Sequence, residues 1–224
     1  MDWQAFLLTV KLAVLVTGIL LLLGLPIAYW ITYSRRRWKF LVEAVVAMPL
    51  VLPPTVLGFY ILLALGSKSP VGRWWESLTG HTLAFTFEAL VIGSVIYSLP
   101  FTVQPLAAAF STVDQKFVAA SATLGASRVR TFLHIILPLS FSGLMTALAL
   151  TFAHTMGEFG VVLMVGGNIP GVTRTVSIDI YDQVQATNYT SANQTALVLL
   201  AISFVALSLV YALNRRVWAL WPWR

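Results

Sequence analysis

Five stretches of this chain stay apolar long enough to cross a lipid bilayer. They run from about Ala5 to Tyr33, Phe40 to Leu65, Phe87 to Phe110, Ile135 to Val165 and Thr195 to Leu213. Each approaches or exceeds the ~20 residues that a helix needs to cross a hydrocarbon core of ~30 Å. Hydrocarbon offers backbone amides no water, so only helices and closed barrels survive there. Barrel strands alternate apolar and polar over segments of about ten residues, whereas these runs are continuous. The chain is 58% hydrophobic and 10% charged, where a soluble domain carries about 25% charged residues. The expectation is an all-α, multi-pass integral membrane protein with about five transmembrane helices, forming a single domain over residues 1–224. The fourth run is long enough to include a turn outside the membrane. Interior prolines (Pro26, Pro49, Pro53, Pro54, Pro100 and Pro105) predict kinks, which packed membrane helices tolerate.

The cations set the orientation. Arg35, Arg36, Arg37 and Lys39 follow the first run, Lys116, Arg128 and Arg130 lie between the third and fourth, and Arg215, Arg216 and Arg224 follow the fifth. Only Lys68, Arg73 and Arg174 fall on the other side, with Lys11 inside the first run. The positive-inside rule then puts the N-terminus outside and the C-terminus in the cytoplasm. The first run has no basic residues ahead of it and is too long for a signal-peptide core, so it reads as a retained anchor. The net charge of +6 therefore reports membrane orientation and gives no reason to expect nucleic acid. On the outer side lie two loops, Ser67 to Ala84 with Trp74 and Trp75, and Gly166 to Gln194. Tryptophan pairs of this kind suit a membrane interface.

Several chemistries are absent from the sequence. There is no cysteine, hence no disulfide, thiol nucleophile or thiolate metal site. His81, His134 and His154 lack metal-ligand spacing, and no nucleophile elbow or phosphate-binding loop is present. Neither catalysis nor ATP hydrolysis is expected of this chain, and no bound metal or cofactor.

One polar, basic segment interrupts the hydrophobic pattern on the cytoplasmic side, at residues 111–134. Asp114 is a suitable N-cap. Phe117, Ala120, Ser121 and Leu124 share a helical face, and Ala119, Ala120, Ser121 and Ala122 keep the helix narrow. Gly125 is suited to end that helix with φ > 0, Arg128 and Arg130 begin the next, and Pro138 marks a turn before the membrane. The spacing adds to this. Ala119-Ala120-Ser121, three residues, Gly125, nine residues, Ile135, one residue, then Leu137-Pro138 resembles the cytoplasmic motif of bacterial ABC importer permeases. Ala119 replaces the glutamate that opens that motif. The strings MPLVLPPTVLGFY (48–60), GEFG (157–160) and GGNIPGVTRT (166–175) are similar to those of the molybdate and tungstate permeases, near relatives of the sulfate and thiosulfate permeases. Thr173-Arg174-Thr175 inclines the likeness toward molybdate.

The resemblance implies a type I ABC importer permease (MetI-like) fold in a bacterial cytoplasmic membrane. It implies a homodimer with the pathway at its interface and two cytoplasmic ATP-binding subunits that use ATP and Mg. A periplasmic or lipid-anchored binding protein would deliver the oxyanion. Ala119, Ala120, Ser121, Gly125, Ala126, Ser127 and Arg128 would contact the ATPase subunit. Pro53, Pro54 and Thr55 break the second run, either as a gate or as a packing kink. Thr55, Thr155 and Asn168 are the hydroxyl and amide groups expected along the path. Glu158 is expensive at membrane depth, about 2.5–3.5 kcal/mol on insertion scales. It is expected to be structural, near the gate, ordering Thr155 and backbone amides or pairing with Arg174. The alternatives are a sulfate or thiosulfate permease, and an ion-coupled secondary carrier. The carrier would need coupling carboxylates in several spans.

Overall fold

The computed structural model describes residues 2–220, with side chains through Ala212, and every regular element in that range is helical. In chain order these are α1 (Trp3–Tyr33), α2 (Lys39–Val51), α3 (Pro54–Leu65), α4 (Pro70–Thr79), α5 (Phe87–Ser111), α6 (Gln115–Thr123) and α7 (Arg128–Thr131). A π-helical turn (Phe132–Ile136) follows, then α8 (Leu137–Leu139), α9 (Phe141–Gly157), α10 (Gly160–Gly166), α11 (Val176–Gln185) and α12 (Tyr189–Leu220).

Among the described residues, three helices are long and apolar enough to cross a membrane: α1, α5 and the stretch Tyr189–Ala212 of α12. The second and fourth apolar runs are not single straight spans. Between α2 and α3 the chain bends by 113°, and between the Arg128–Leu139 helix and α9 by 77°, so the number of crossings reaches five only if each bent pair counts once. The first bend follows from proline sterics. Pro53 and Pro54 push Leu52 and Pro53 into extended backbone (ψ 138° and 134°), the conformation a residue before proline prefers. Pro54 then starts α3 at a position where its missing N–H costs nothing.

The fourth run, Ile135 to Val165, is divided again at Glu158 and Phe159, between α9 and α10. Pro138 does not mark the turn expected of it; it lies within α8, and the chain turns at Ser140 instead. Pro138 has no N–H to give the preceding turn, and the helix widens there, with Leu137 N bonding to Phe132 O. Wide turns of this kind are how helices absorb a local mismatch. Arg215 and Arg216 lie beyond the described side chains, and Arg224 lies outside the described residues.

Two apolar cores lie one after the other along α1 and α5. The first joins Leu12, Val16 and Leu20 to Leu90, Ile61, Leu65, Val161 and Val165. The second joins Ala28 and Ile31 to Val103, Leu106, Phe110, Ile136 and Ala147. Between these two groups α5 buries three hydroxyl residues, Ser94, Ser98 and Thr102, while Leu99 packs against both cores.

Helix α3 touches α10 through glycine. A Cβ on Gly58 would sit 2.7 Å from Met164 Cβ and 3.2 Å from Val161 Cα, and one on Gly160 would sit 2.7 Å from Pro54 Cβ. Small residues at such crossings let membrane helices meet backbone to backbone. Gly58→Val is expected to destabilise the protein by about 1–3 kcal/mol through overpacking, read as a lower unfolding midpoint in detergent. Gly18→Ala, where an added Cβ meets nothing within 4 Å, should leave the midpoint unchanged or raise it.

Candidate functional site: a capped loop and two helix breaks

The loop between α5 and α9 is built from local caps. Asp114 accepts a bond from Lys116 N at 2.9 Å and starts α6. At the other end Gly125 has φ +77°, Gly125 N bonds to Ala122 O at 3.0 Å, and Ala126 N bonds to Ser121 O at 3.0 Å. These two bonds define a Schellman stop, which satisfies carbonyls that a helix end leaves free. Ser127 then caps α7 by accepting from Arg130 N. Ser121 donates to Val118 O and accepts from Thr131 Oγ1 at 2.7 Å, which ties α6 to α7.

Of the residues expected to meet a partner, Ala119, Ala120, Gly125, Ser127 and Arg128 are exposed and Ala126 is half-buried. Ser121 is turned inward, so its contribution is to the hairpin itself. Phe117, Leu124 and Val129 are exposed apolar side chains on this basic loop, Leu124 at 86%. Beneath them the loop is seated on the second core. Val113 is buried there and Val118 and Phe132 pack against it. Phe132 meets the rings of Tyr29 on α1 and Phe110 on α5 edge-on, at 5.3 and 5.8 Å.

At the two helix breaks, Pro53 and Thr55 lie exposed on the protomer surface, and half-buried Pro54 rests on Gly160. Thr155 is not exposed. It is buried in the α5–α9 interface, donating to Thr151 O at 2.9 Å and bonding Ser98 Oγ at 3.1 Å. It belongs to a polar seam that the sequence reading missed. Thr102 and Thr151 pair at 2.6 Å, and Ser98 also meets His154 Nδ1 at 2.9 Å. Thr155 spends its one hydroxyl proton on Thr151 O, so Ser98 donates to Thr155 and His154 donates from Nδ1 to Ser98. All three bonds hold only in that direction. The signal was present in the sequence as hydroxyl residues every four positions, Ser94, Ser98 and Thr102 on one span and Thr151 and Thr155 on another.

Glu158 lies at the head of this seam, 4% exposed, with neither carboxylate oxygen hydrogen-bonded. Ser94 approaches it from α5 without completing a bond. The expected pairing with Arg174 does not form. Arg174 donates from Nε to Asn168 Oδ1 at 2.6 Å and pairs with Asp182 at 3.4 Å, and Asn168 also donates to Asp182. Arg174 thus has partners on its own loop and on α11. Asn168, expected along the path, instead spends its amide holding residues 166–175 to α11. Thr173 folds that loop from within, donating to Gly166 O at 2.7 Å and accepting from Ile169 N.

The architecture and sequence both have counterparts. The family profile "Binding-protein-dependent transport system inner membrane component" matches residues 20–219. The molybdenum transport system permease protein ModB of Azotobacter vinelandii is 48% identical, over 96% of this chain and 95% of its own length. ModB of Escherichia coli (strain K12) is 34% identical over 93% of this chain and 90% of its own. The putative molybdenum transport system permease protein YvgM of Bacillus subtilis is 35% identical over 84% and 83%. Among solved structures, a chain of the inward-facing MetNI methionine ABC transporter superposes with a TM-score of 0.77 at 16% identity, covering 97% of this chain and 96% of that one. A chain of a bacterial ABC transporter that imports alginate superposes at 0.72, covering 94% and 79%. The chain therefore shares the fold of ABC importer permeases.

The seam makes a direct prediction. Thr102→Val removes one partner of a buried pair and should lower stability by about 0.5–2 kcal/mol. The double variant Thr102→Val/Thr151→Val removes both polar groups and should recover most of that loss in the same unfolding assay.

Proposed function

We propose a function from one premise: the chain belongs to the family of binding-protein-dependent transport system inner membrane components, among the molybdenum transport system permeases. On that premise it is the membrane-spanning permease subunit of an ATP-driven importer that carries molybdate into the cytoplasm. Two copies form the pathway, and each offers residues 111–134 to a cytoplasmic ATP-binding subunit. ATP and Mg are used by that subunit, and this chain binds neither. A periplasmic or lipid-anchored binding protein presents the oxyanion at the opposite face.

The observation that carries the reading is the loop. It exposes Leu124, Phe117 and Val129 beside Arg128 and Arg130, a surface composed for a protein partner. It also stands on Phe132, which contacts α1 and α5. A push on the loop is thereby delivered to two spans. The molybdenum permease relatives favour molybdate over sulfate, and the absence of a phosphate-binding loop puts the ATPase elsewhere. Selectivity is assigned mainly to the delivery protein, since a tight anion site along the path would trap the ion.

Gly125 tests the coupling. An added Cβ there meets nothing within 4 Å of this chain, so a substitution leaves the protomer's own packing alone and acts on whatever docks against the loop. Aspartate tolerates φ > 0 better than most residues. Gly125→Asp should therefore insert and fold normally while recovery of the ATPase subunit falls about tenfold or more, equivalent to about 1.4 kcal/mol or more of docking energy. Undiminished recovery would move the contact elsewhere. In vesicles holding the full complex and the molybdate-loaded binding protein, ATP hydrolysis should rise with molybdate. A rise with sulfate alone would reassign the cargo.

A further inference from the structure

Helix α4 divides its circumference into three faces, about a third of a turn apart at ~3.6 residues per turn. Gly72, Trp75 and Glu76 face the protein. Gly72 is buried so close to the Gly66 carbonyl that no Cβ fits, and Trp75 packs against the first core. Val71, Trp74 and Leu78 form a second face, apolar and exposed at 49%, 61% and 65%. Arg73 and Ser77 form the third, polar and exposed. A helix on a water-soluble surface needs one apolar face, toward its own protein. A helix lying beside a membrane protein at the lipid surface needs two, one for protein and one for lipid, with a polar face left for water.

The setting agrees with lipid as the second neighbour. Ser69 donates to Ala64 O at 2.6 Å and accepts from Gly72 N at 2.8 Å, which fixes α4 directly to the end of α3. Phe59, Tyr60 and Leu63 leave an exposed apolar surface on α3, which together with α2 makes a bent pair apolar enough to cross the bilayer. An open groove of about 410 Å³ at the end of α3 is lined by Leu62, Leu63, Ala84 and Phe85, with Ser67, Lys68 and Thr82 as its polar members. Lys68 and Arg73 supply the charge that lipid phosphates attract, and tryptophan favours the headgroup level.

We infer that α4 is an interfacial helix, with Val71, Trp74 and Leu78 set into the headgroup–acyl boundary of the bilayer. Lys68 and Arg73 contact lipid phosphate, and Ser77 faces water. The helix fixes the height of α3, and with it the break at Pro53, relative to the membrane. This inference rests on the membrane-embedded fold and is independent of the transported ion.

The chain has no cysteine, so single-cysteine variants give clean probes. Val71→Cys, Trp74→Cys, Leu78→Cys, Arg73→Cys and Ser77→Cys are spin-labelled, assembled into the full complex and reconstituted in vesicles containing anionic phospholipid. Collision with oxygen, which partitions into lipid, is compared with collision with a water-soluble nickel chelate, with Leu63→Cys as the in-lipid reference. Positions 71, 74 and 78 should show an oxygen-to-nickel ratio several-fold above that of 73 and 77 and approaching that of 63. Equal ratios at the two sets would mean that both faces meet water and would overturn the inference. So would shielding of 74 and 78 from both reagents, the signature of a protein covering that face. Molybdate-stimulated ATP hydrolysis by the unlabelled complex is read separately, so failure here and failure of the proposed transport function are distinguishable.

Discussion

A backbone amide in hydrocarbon has only its own protein to bond with, and this requirement governs where the chain can break a helix. Of the three breaks within apolar runs, at Leu52–Pro53, Ser140 and Glu158–Phe159, the first and last are paired. The elements that follow them, α3 and α10, cover each other: Pro54 lies against Gly160, and Gly58 lies against Val161 and Met164. The contact covers the restart of each helix, at Pro54 and Gly160, while Pro53 stays exposed on the protomer surface. Glycine is required at 58 and 160 because side chains there would separate the two segments.

The same economy of burial explains the middle of the bundle. Two apolar cores are stacked along α1 and α5, and hydroxyl groups fill the layer between them. Apolar side chains pack nearly as well against lipid as against each other, so they hold membrane helices together only weakly. Bonds between hydroxyls give a membrane interface a direction and a partner. Glu158 ends this layer with both carboxylate oxygens unbonded, a local conflict. Such conflicts concentrate where a protein works rather than where it merely stands.

What could be read from the sequence was mostly local. The Asp114 cap, the Gly125 stop and the existence of apolar helices follow from short-range chemistry, and each is present. The prolines announced a break in the second run but not its 113° angle, because the angle is set by what α3 packs against. Pro138 misled for a related reason: a widened turn let the helix continue past it. Pairing with Arg174 was one of two roles open to Glu158, and Arg174 instead meets Asn168 and Asp182. Asp182 lies on α11, the helix that follows Arg174 directly in the chain. Thr155 and Asn168 were expected to face a path because their groups suit an anion. Both groups are occupied inside the protomer, a matter of side-chain direction that composition does not encode.

The ladder of hydroxyls between α5 and α9 has a mechanical corollary. Its rungs recur every four residues on both helices, so sliding one helix past the other by a single turn would bring Ser98 opposite Thr151 and Ser94 opposite Thr155, and would leave Thr102 facing Ala147 with no hydroxyl partner in a dry interior. Intermediate displacements would sever every rung at once. The two helices are therefore held in register by these bonds, and every step of a slide between them leaves at least one buried hydroxyl unpaired.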